Sequence, residues 1–226
     1  MKNRDAKVAA RSSGGSSGGE IFYSFVVAGQ EDYITRATAI LDLGCGQGLF
    51  GEFINRRFDR LLDGVDLIQY ENFKSEYYET FILSNLEELG RCSFAKSYDL
   101  IFAIGVIEYL ANPRLFIKSA INLLTPNGKL LLAAPNPISL SSLGSLAVRG
   151  QFSAFLEKYS PASITPVLPL DAVRMIEEAE LSLISLDYSN MGRLPLAKFW
   201  FYQRIFPFLK GRFFSDHYRV IAKRCT

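Results

Sequence analysis

The stretch Ala39-Ile-Leu-Asp-Leu-Gly-Cys-Gly-Gln-Gly-Leu-Phe-Gly-Glu-Phe-Ile54 decides the fold of this chain. Its first residues, 39–43, form a short apolar run that predicts a buried strand. Three glycines follow, and the apolar residues after them recur at the spacing of a helix face. The stretch therefore predicts a strand, a glycine-rich turn and a helix. Such a turn lets a ligand approach the backbone closely, and it directs N–H groups of the helix start toward that ligand.

Two kinds of ligand site use a turn of this type. Residues 46–51 match G-x-G-x-x-G, the pattern of dinucleotide-binding proteins. Asp42 precedes the glycines, however, and its carboxylate would repel a pyrophosphate. Residues 42–48, Asp-Leu-Gly-Cys-Gly-Gln-Gly, resemble motif I of the class I S-adenosylmethionine-dependent methyltransferases. The cofactor of that family carries a sulfonium and an α-amino group, and nearby negative charge suits both.

A second acid lies at the distance from the glycines that either family uses. Residues 62–67 predict the second strand, which ends at Asp66, 22 residues after Gly44. The expected interval between the glycine turn and a ribose-binding acid is about 20 residues. A carboxylate at Asp66 can accept hydrogen bonds from both ribose hydroxyls.

The resemblance extends over residues 36–136 and is closest to the small-molecule, ubiquinone-biosynthesis-like group. Residues 125–132 resemble the family's Leu-x-Pro-Gly-Gly-x-Leu-Leu-Leu pattern. Asn85 stands where related enzymes usually carry an aspartate that binds the adenine amino group, and alternatively it caps the turn that follows it. The resemblance implies S-adenosyl-L-methionine as cofactor. The implied cofactor-binding residues are Asp42, Gly44, Gly46, Gly48, Asp66, Leu67, Asn85, Leu86 and Ile104.

The sequence identifies no strong catalytic base. Many small-molecule members of the family carry Leu-Glu-His-Leu after the fourth strand, whereas this chain has Ile107-Glu-Tyr-Leu110. Glu108, Tyr109 and His217 are the candidates for catalysis. Tyr109 is equally interpreted as a wall of the cleft, and His217 as a structural residue.

Strands and helices alternate from residue 39 to 188, which predicts a parallel sheet covered by helices on both faces. The resemblance implies an α/β, Rossmann-like, doubly wound sheet of seven strands, mostly parallel with one antiparallel strand. Residues 217–222 are predicted as that antiparallel strand, at the edge of the sheet. Residues 20–38 predict a lead-in helix that covers the cleft rim or packs on the sheet edge. Residues 68–79 predict a short helix.

Residues 1–19 are polar and end in a Gly/Ser-rich run, which predicts a flexible segment before one domain at 20–226. Two irregular insertions, at about 138–169 and 189–215, are predicted to cap the substrate cleft. Candidates to line the first are Arg149, Phe152, Phe155 and Tyr159. Residues 193–212 in the second carry five basic residues and no acid. They are interpreted either as a membrane-surface contact or as a hydrophobic cap helix that packs on the sheet or on a second subunit.

Composition narrows the functional classes. Of 226 residues, 25 are basic and 23 acidic, so the net charge of +2 gives no case for general nucleic-acid binding. Three separated cysteines and one histidine predict no metal site, and they indicate a reducing compartment such as the cytoplasm. The start of the chain shows no secretion signal.

We therefore expect a methyltransferase that acts on a small-molecule, glycan or lipid-linked acceptor, most often on oxygen. The alternatives are a catalytically inactive methyltransferase-like binding protein and an NAD-binding oxidoreductase. Peripheral membrane contact and a homodimer are further expectations.

Overall fold

A computed structural model describes residues 19–156, 162–194, 197–201, 203, 206 and 208–225. In these residues the α-helices are α1 (Glu20–Val27), α2 (Glu31–Arg36), α3 (Leu49–Phe58), α4 (Pro113–Ile121), α5 (Leu140–Arg149) and α6 (Pro169–Glu178). The strands are β1 (Ile40–Leu43), β2 (Leu62–Asp66), β3 (Tyr78–Leu83), β4 (Tyr98–Ile104), β5 (Leu124–Pro135), β6 (Leu181–Tyr188), β7 (Arg193–Leu194), β8 (Ala197–Phe201) and β9 (His217–Arg224). Short 3-10 turns lie at Ser75–Tyr77, Leu86–Arg91, Ile107–Tyr109 and Ser153–Phe155.

Seven strands form one sheet in the order β3-β2-β1-β4-β5-β9-β6. The neighbours from β3 to β5 are parallel, whereas β9 runs antiparallel to both β5 and β6. This confirms the Rossmann-like sheet with one antiparallel strand. The predicted position of that strand at the edge is wrong, because β6 lies outside β9. The interior position agrees with the sequence of β9, whose central residues 218–222 are all buried.

The two faces of the sheet are covered by different helices. Alternate residues of each strand point to opposite faces, so Ile101 and Ala103 of β4 join a core with α4 and α6, while Leu100 and Phe102 join a core with α1, α2 and α3. Both cores are closely packed with apolar side chains, which explains why the central strands read as continuous apolar runs. The sheet is therefore doubly wound, as predicted.

Two local predictions are wrong, and a third local feature was not predicted. The lead-in helix is divided into α1 and α2 at Gly29, which has φ +74°. The predicted helix at 68–79 shortens to the 3-10 turn at Ser75–Tyr77, because the preceding residues fold over the glycine turn: the Lys74 N–H donates to the Gln47 carbonyl oxygen at 3.1 Å. The described part of the second insertion contains a two-stranded antiparallel sheet of β7 and β8, which the sequence did not predict.

Some expectations fall outside the described residues, namely those for the segment before residue 19 and for Tyr159. Within the described ranges, none of the helices combines the length and the apolar character that crossing a bilayer requires.

Candidate cofactor cleft and active site

The glycine-rich turn joins β1 to α3 at the carboxyl edge of the parallel strands, where open α/β sheets bind ligands. Gly44 has φ +80°, and a Cβ at this residue would lie 2.5 Å from Val106 Cγ2. Gly48 has φ +81°, and its Cβ would lie 3.2 Å from the backbone nitrogen of Lys74. A side chain at either position would therefore strain the backbone and meet a neighbour, so this path of the turn requires glycine.

The N–H groups of the turn are hydrogen-bonded within the protein. The N–H groups of Gly44 and Cys45 donate to the Val65 carbonyl oxygen, at 2.8 and 3.2 Å. The Gly48 N–H donates to the Cys45 carbonyl oxygen at 2.9 Å. The Gly46 N–H donates to Asp66 Oδ2 at 2.8 Å. These four groups therefore already have acceptors in the free protein, whereas the expectation concerned the N–H groups at the start of α3, of which that of Gly51 donates to the Tyr78 hydroxyl at 3.2 Å. An anionic ligand would have to compete with the protein's own oxygens for them.

Asp42 is the acid of β1, and its side chain is only 2% exposed. Its Oδ2 accepts a hydrogen bond of 2.8 Å from the Tyr78 hydroxyl, and that hydroxyl accepts one of 3.2 Å from the Gly51 N–H. Burial raises the pKa of Asp42 to about 7, against the lowering effect of the Tyr78 bond, and the charge of Asp66 raises it further. The structure thus places a carboxyl group that is poised to ionise near neutral pH at the base of the turn.

Asp66 ends β2 beside the same turn. Besides the bond from Gly46, its Oδ1 accepts a bond of 3.1 Å from the Ile68 N–H. Burial raises the pKa of Asp66, while the backbone N–H groups of Gly46, Ile68 and Leu67 act in the opposite direction. Two carboxylate oxygens have about four acceptor positions between them, so these contacts leave capacity for a ligand's hydroxyl groups.

The third strand end differs from the expectation for adenine binding. Asn85 Oδ1 accepts a bond of 3.0 Å from the Glu87 N–H and so caps the 3-10 turn at Leu86–Arg91. This is the alternative role that the sequence left open. Leu86 is buried and lies close to Gly44, since its Cδ1 is 3.7 Å from the position of a Gly44 Cβ.

A narrow cavity opens at this edge of the sheet. Its walls come from α1, β1, the glycine turn, α3 and the end of β4, through Tyr23, Asp42, Gly44, Cys45, Leu49, Phe50 and Ile104. The structure thus brings Asp42, Gly44 and Ile104 of the predicted set to one cavity. The buried carboxyl group of Asp42 in this wall fits a ligand that carries positive charge.

A family model described as a methyltransferase domain matches residues 25–167, which is more than half of the chain. This chain belongs to the methyltransferase-domain family. Among curated proteins, the ubiquinone biosynthesis O-methyltransferase of Neisseria meningitidis serogroup C is 23% identical to this chain over 159 residues. The matched region covers 66% of this chain and 65% of that relative, so the chain spans slightly less than two thirds of the relative's length.

Solved structures of other proteins share the fold of this chain. A SAM-dependent methyltransferase from Archaeoglobus fulgidus has a TM-score of 0.62 at 17% identity, covering 92% of this chain and 95% of that one. The 1,6-didemethyltoxoflavin-N1-methyltransferase of Burkholderia thailandensis, with S-adenosylhomocysteine bound, has a TM-score of 0.61 at 12% identity, covering 92% and 80%. The family and the fold predicted from the sequence are confirmed.

The 3-10 turn after β4 sends two candidate catalytic side chains in different directions. Glu108 is 4% exposed, and burial raises its pKa to about 8. Within the described part of the chain, its Oε2 has no hydrogen-bond partner. Tyr109 is 37% exposed and stands at the surface. This chain therefore does not bring the two side chains together. The Glu108 carboxyl group is buried and out of reach of an acceptor.

His217 begins β9, where it pairs with Pro135 at the end of β5. It thus lies at the same sheet edge as the glycine turn. Its ring packs on Phe22 of α1, with 4.5 Å between the ring centroids. Burial lowers its pKa to about 4, and the charge of Arg193 lowers it further. His217 is therefore neutral at physiological pH, and its Nδ1 is buried without a partner among the described residues.

The two insertions are joined to each other beside the end of β5. The Asn136 side-chain amide donates to the carbonyl oxygens of Arg212 (2.6 Å) and Ser215 (2.7 Å). The Ser141 hydroxyl donates to Asp216 Oδ1 at 2.8 Å, and the Leu140 N–H donates to the Phe213 carbonyl oxygen at 2.8 Å. Residues at the start of the first insertion are therefore fixed to residues at the end of the second.

Sequence reasoning missed Tyr78 and Phe50 as parts of this site. Phe50 has an ordinary helix-face spacing, so its place at the cavity carries no distinct signal. Tyr78 has an indirect one. A Cβ at Gly51 or Gly64 would lie 2.4 or 2.8 Å from its ring, so two glycines outside the turn provide the space for this tyrosine.

Proposed function

We propose that this chain transfers the methyl group of S-adenosylmethionine to an oxygen of a small-molecule, glycan or lipid-linked acceptor. The observation that carries the proposal is the buried Asp42 beneath a turn whose N–H groups are already engaged. A cationic ligand gains from such a carboxylate. The pyrophosphate of NAD would meet a buried negative group and few available donors, which disfavours the oxidoreductase alternative.

The chain's residues have separate roles in this proposal. Asp42 supplies negative charge for the cationic part of the cofactor, and Asp66 accepts from the ribose hydroxyls. Gly44, Gly46 and Gly48 keep the turn free of side chains. Leu67, Asn85, Leu86 and Ile104 are the proposed contacts of the adenosine, with the Asn85 side chain shared between its capping bond and the ligand.

Bound S-adenosylmethionine supplies an electrophilic methyl group with a neutral thioether as leaving group. The protein's part is therefore to align the acceptor and exclude water, more than to donate a proton. A hydroxyl acceptor must also lose its proton. Glu108 and the Nδ1 of His217 are both buried, so the exposed Tyr109 is the proposed contact for that hydroxyl.

Calorimetric titration with S-adenosylmethionine, S-adenosylhomocysteine and NAD tests the cofactor site. We expect the two adenosyl ligands to bind and NAD to show no heat above dilution. Tight binding of NAD, or no binding of either adenosyl ligand by the folded protein, would overturn the proposal.

A catalytically inactive binding protein is the second candidate, favoured by Tyr109 at the position where related enzymes often have histidine. Transfer of tritium from methyl-labelled cofactor into extracted lipids or small metabolites separates the two candidates. Label that enters neither fraction, from a protein that binds the cofactor, would favour the binding protein.

The second insertion supports a peripheral membrane contact as part of the proposal. Phe208 is 76% exposed beside the exposed Lys210 and Arg212, and residues 193–212 contain no acid. Aromatic side chains between basic ones favour the surface of an anionic bilayer. In the first insertion, α5 adds the exposed Val148 and Arg149. We propose a cytoplasmic protein that collects a lipid-linked acceptor at the membrane surface.

Sedimentation with phosphatidylglycerol vesicles and with phosphatidylcholine vesicles tests this contact. Phe208→Ser should reduce binding to the anionic vesicles, whereas Leu61→Ser, at an exposed apolar residue outside the insertions, should not. The same surface could instead pair two copies of the chain. A dimer in light scattering that Phe208→Ser dissociates, without vesicle binding, would favour the homodimer.

A further inference from the structure

Tyr78 reaches across the sheet to a strand that is not its neighbour. It begins β3, which pairs with β2, yet its hydroxyl lies 2.8 Å from Asp42 Oδ2 on β1. The ring occupies the space left by the missing side chains of Gly64 and Gly51. Phe73 supports it from the loop side, with 5.1 Å between the ring centroids. The position of this hydroxyl is therefore fixed by packing on several sides.

The hydroxyl connects two functional elements. It donates to Asp42, and it accepts from the N–H of Gly51 in the first turn of α3. That N–H is one of those which a helix start leaves without an intrahelical partner. Its use by Tyr78 orients the hydroxyl, so that the single phenolic proton is directed at the carboxylate.

Among the described residues, the groups recorded as acting on Asp42 include no cation. Those that face it are Tyr78 from β3, Asp66 from the end of β2, Cys45 from the turn and Tyr23 from α1. Burial, followed by the charge of Asp42, raises the pKa of the Cys45 thiol and of the Tyr23 phenol, so both stay neutral. Tyr78 is the side chain in this set that donates a hydrogen bond to the Asp42 carboxylate.

We propose that Tyr78 is a positioning residue for the cofactor: its hydroxyl holds the Asp42 carboxyl group at the cavity wall and favours the ionised form that a cationic ligand needs. This inference rests on the proposed cofactor site. The inference adds that cofactor affinity depends on pH because Asp42 must be ionised. Tyr78 sets the pH at which Asp42 ionises.

The two adenosyl ligands separate this effect from general binding. S-adenosylmethionine carries a sulfonium charge that S-adenosylhomocysteine lacks, while their ribose and adenine are the same. Since the pKa of Asp42 is about 7 in the free protein, the carboxyl group must lose its proton to interact with that charge. Affinity for S-adenosylmethionine should therefore rise more steeply with pH around neutrality than affinity for S-adenosylhomocysteine.

Calorimetry from pH 5.5 to 9 with both ligands tests the proposal on wild type, Tyr78→Phe and Asp42→Asn. Losing a hydrogen bond to a charged group should move the midpoint of the S-adenosylmethionine profile upward by about one pH unit in Tyr78→Phe. Affinity near pH 7 then falls several-fold and recovers at pH 9. Asp42→Asn should abolish the difference in pH profile between the two ligands. Tyr77→Phe, which removes the adjacent phenol hydroxyl, should leave the midpoint unchanged.

An unchanged midpoint in Tyr78→Phe, or a loss of affinity that is equal at every pH, would overturn the proposal and leave Tyr78 a structural residue. Failure of wild type to bind either ligand would refute the cofactor site instead. If neither ligand binds, the pH dependence of the free energy of unfolding of the ligand-free protein still tests whether Tyr78 acts on Asp42. Tyr78→Phe must move the titration of Asp42 to higher pH, and an unmoved titration contradicts the inference.

Discussion

Asp66 Oδ2 lies 2.8 Å from the backbone nitrogen of Gly46, so the acid that ends β2 holds the middle of the glycine turn that follows β1. One side chain thereby serves two purposes. It fixes the path of the turn in the free protein, and it presents its remaining acceptor positions to a ligand. A change at Asp66 should therefore affect both ligand affinity and the order of the turn.

At pH 9, where Asp42 is ionised with or without the charge of Asp66, we expect Asp66→Asn to weaken S-adenosylmethionine and S-adenosylhomocysteine equally, by about 10- to 100-fold, since both ligands contain the ribose and since a bond to a charged group contributes about 1.5–3 kcal/mol. Calorimetry with each ligand measures the effect. Asp63→Asn is the matched control, because Asp63 is a buried acid of the same strand that accepts from Tyr98 (2.8 Å), away from the turn. Equal affinity of Asp66→Asn and wild type would contradict the ribose role.

Gly44→Ala should destabilise the protein by about 1–3 kcal/mol, because the new Cβ meets Val106 Cγ2 and the φ of +80° is unfavourable for alanine. Val106→Ala removes the clash, so the double variant should recover part of the loss and leave the backbone strain. Urea unfolding of the four proteins gives the coupling energy. Gly144→Ala, in α5 with open space around it, should instead stabilise by about 0.5–1 kcal/mol. Strictly additive effects of Gly44→Ala and Val106→Ala would refute the clash.

Arg219→Met should loosen α1 and with it the cleft wall that Tyr23 provides. Arg219 Nη1 donates to the carbonyl oxygens of Phe25, Val26 and Ala28 (2.8–2.9 Å), and Nη2 donates to Asp187. Losing these buried charge-assisted bonds should cost about 2–4 kcal/mol. Cofactor affinity should fall together with protection of α1 in amide exchange. Arg174→Met is the control, because Arg174 pairs with Asp171 at the surface. Losing this pair should lower the free energy of unfolding by less than about 1 kcal/mol.

Glu108→Gln should stabilise the protein at alkaline pH. The pKa of Glu108 is raised by burial to about 8 in the folded chain, above its ordinary value of 4.5. The folded state therefore retains the proton more strongly, and the stability contributed by this group is complete below pH 4.5 and is lost as pH rises through about 8. The gain of Glu108→Gln over wild type should grow from near zero at pH 5 to a few kcal/mol at pH 9, at about 1.4 kcal/mol per pKa unit. Urea unfolding at pH 5 and at pH 9 measures this gain in the free energy of unfolding. A gain that is the same at both pH values would contradict the mechanism.

The sequence was sufficient for the sheet and for the glycine turn, because both depend on local patterns. Few other structures suit the apolar runs of β4 and β5, and few suit the glycines at 44–48. The position of β9 was not predicted, since the order of strands from distant parts of the chain depends on packing that no local pattern records. The helix predicted at 68–79 failed for a related reason: the Lys74 N–H donates to the Gln47 carbonyl oxygen in the glycine turn, a partner that lies far away in the sequence.

In the site, the acids and glycines were found because their chemistry and spacing are distinctive. What escaped prediction is the environment of each group. Nothing in the sequence near Asp42 shows that a tyrosine 36 residues away bonds to it. Likewise, Glu108 and Tyr109 are adjacent in sequence, and only the direction of the 3-10 turn shows that one is buried and the other exposed.

The bonds of Asn136 and Asp216 between the two insertions have a consequence for engineering. Under the proposed function, in which both insertions cap the acceptor cleft, acceptor preference should not be a property of one exchangeable loop. A chimera that imports a single insertion from another enzyme would leave its counterpart with unmatched donors and acceptors. A functional transplant would have to carry both segments and their common anchor, so new specificities should arise by paired replacement.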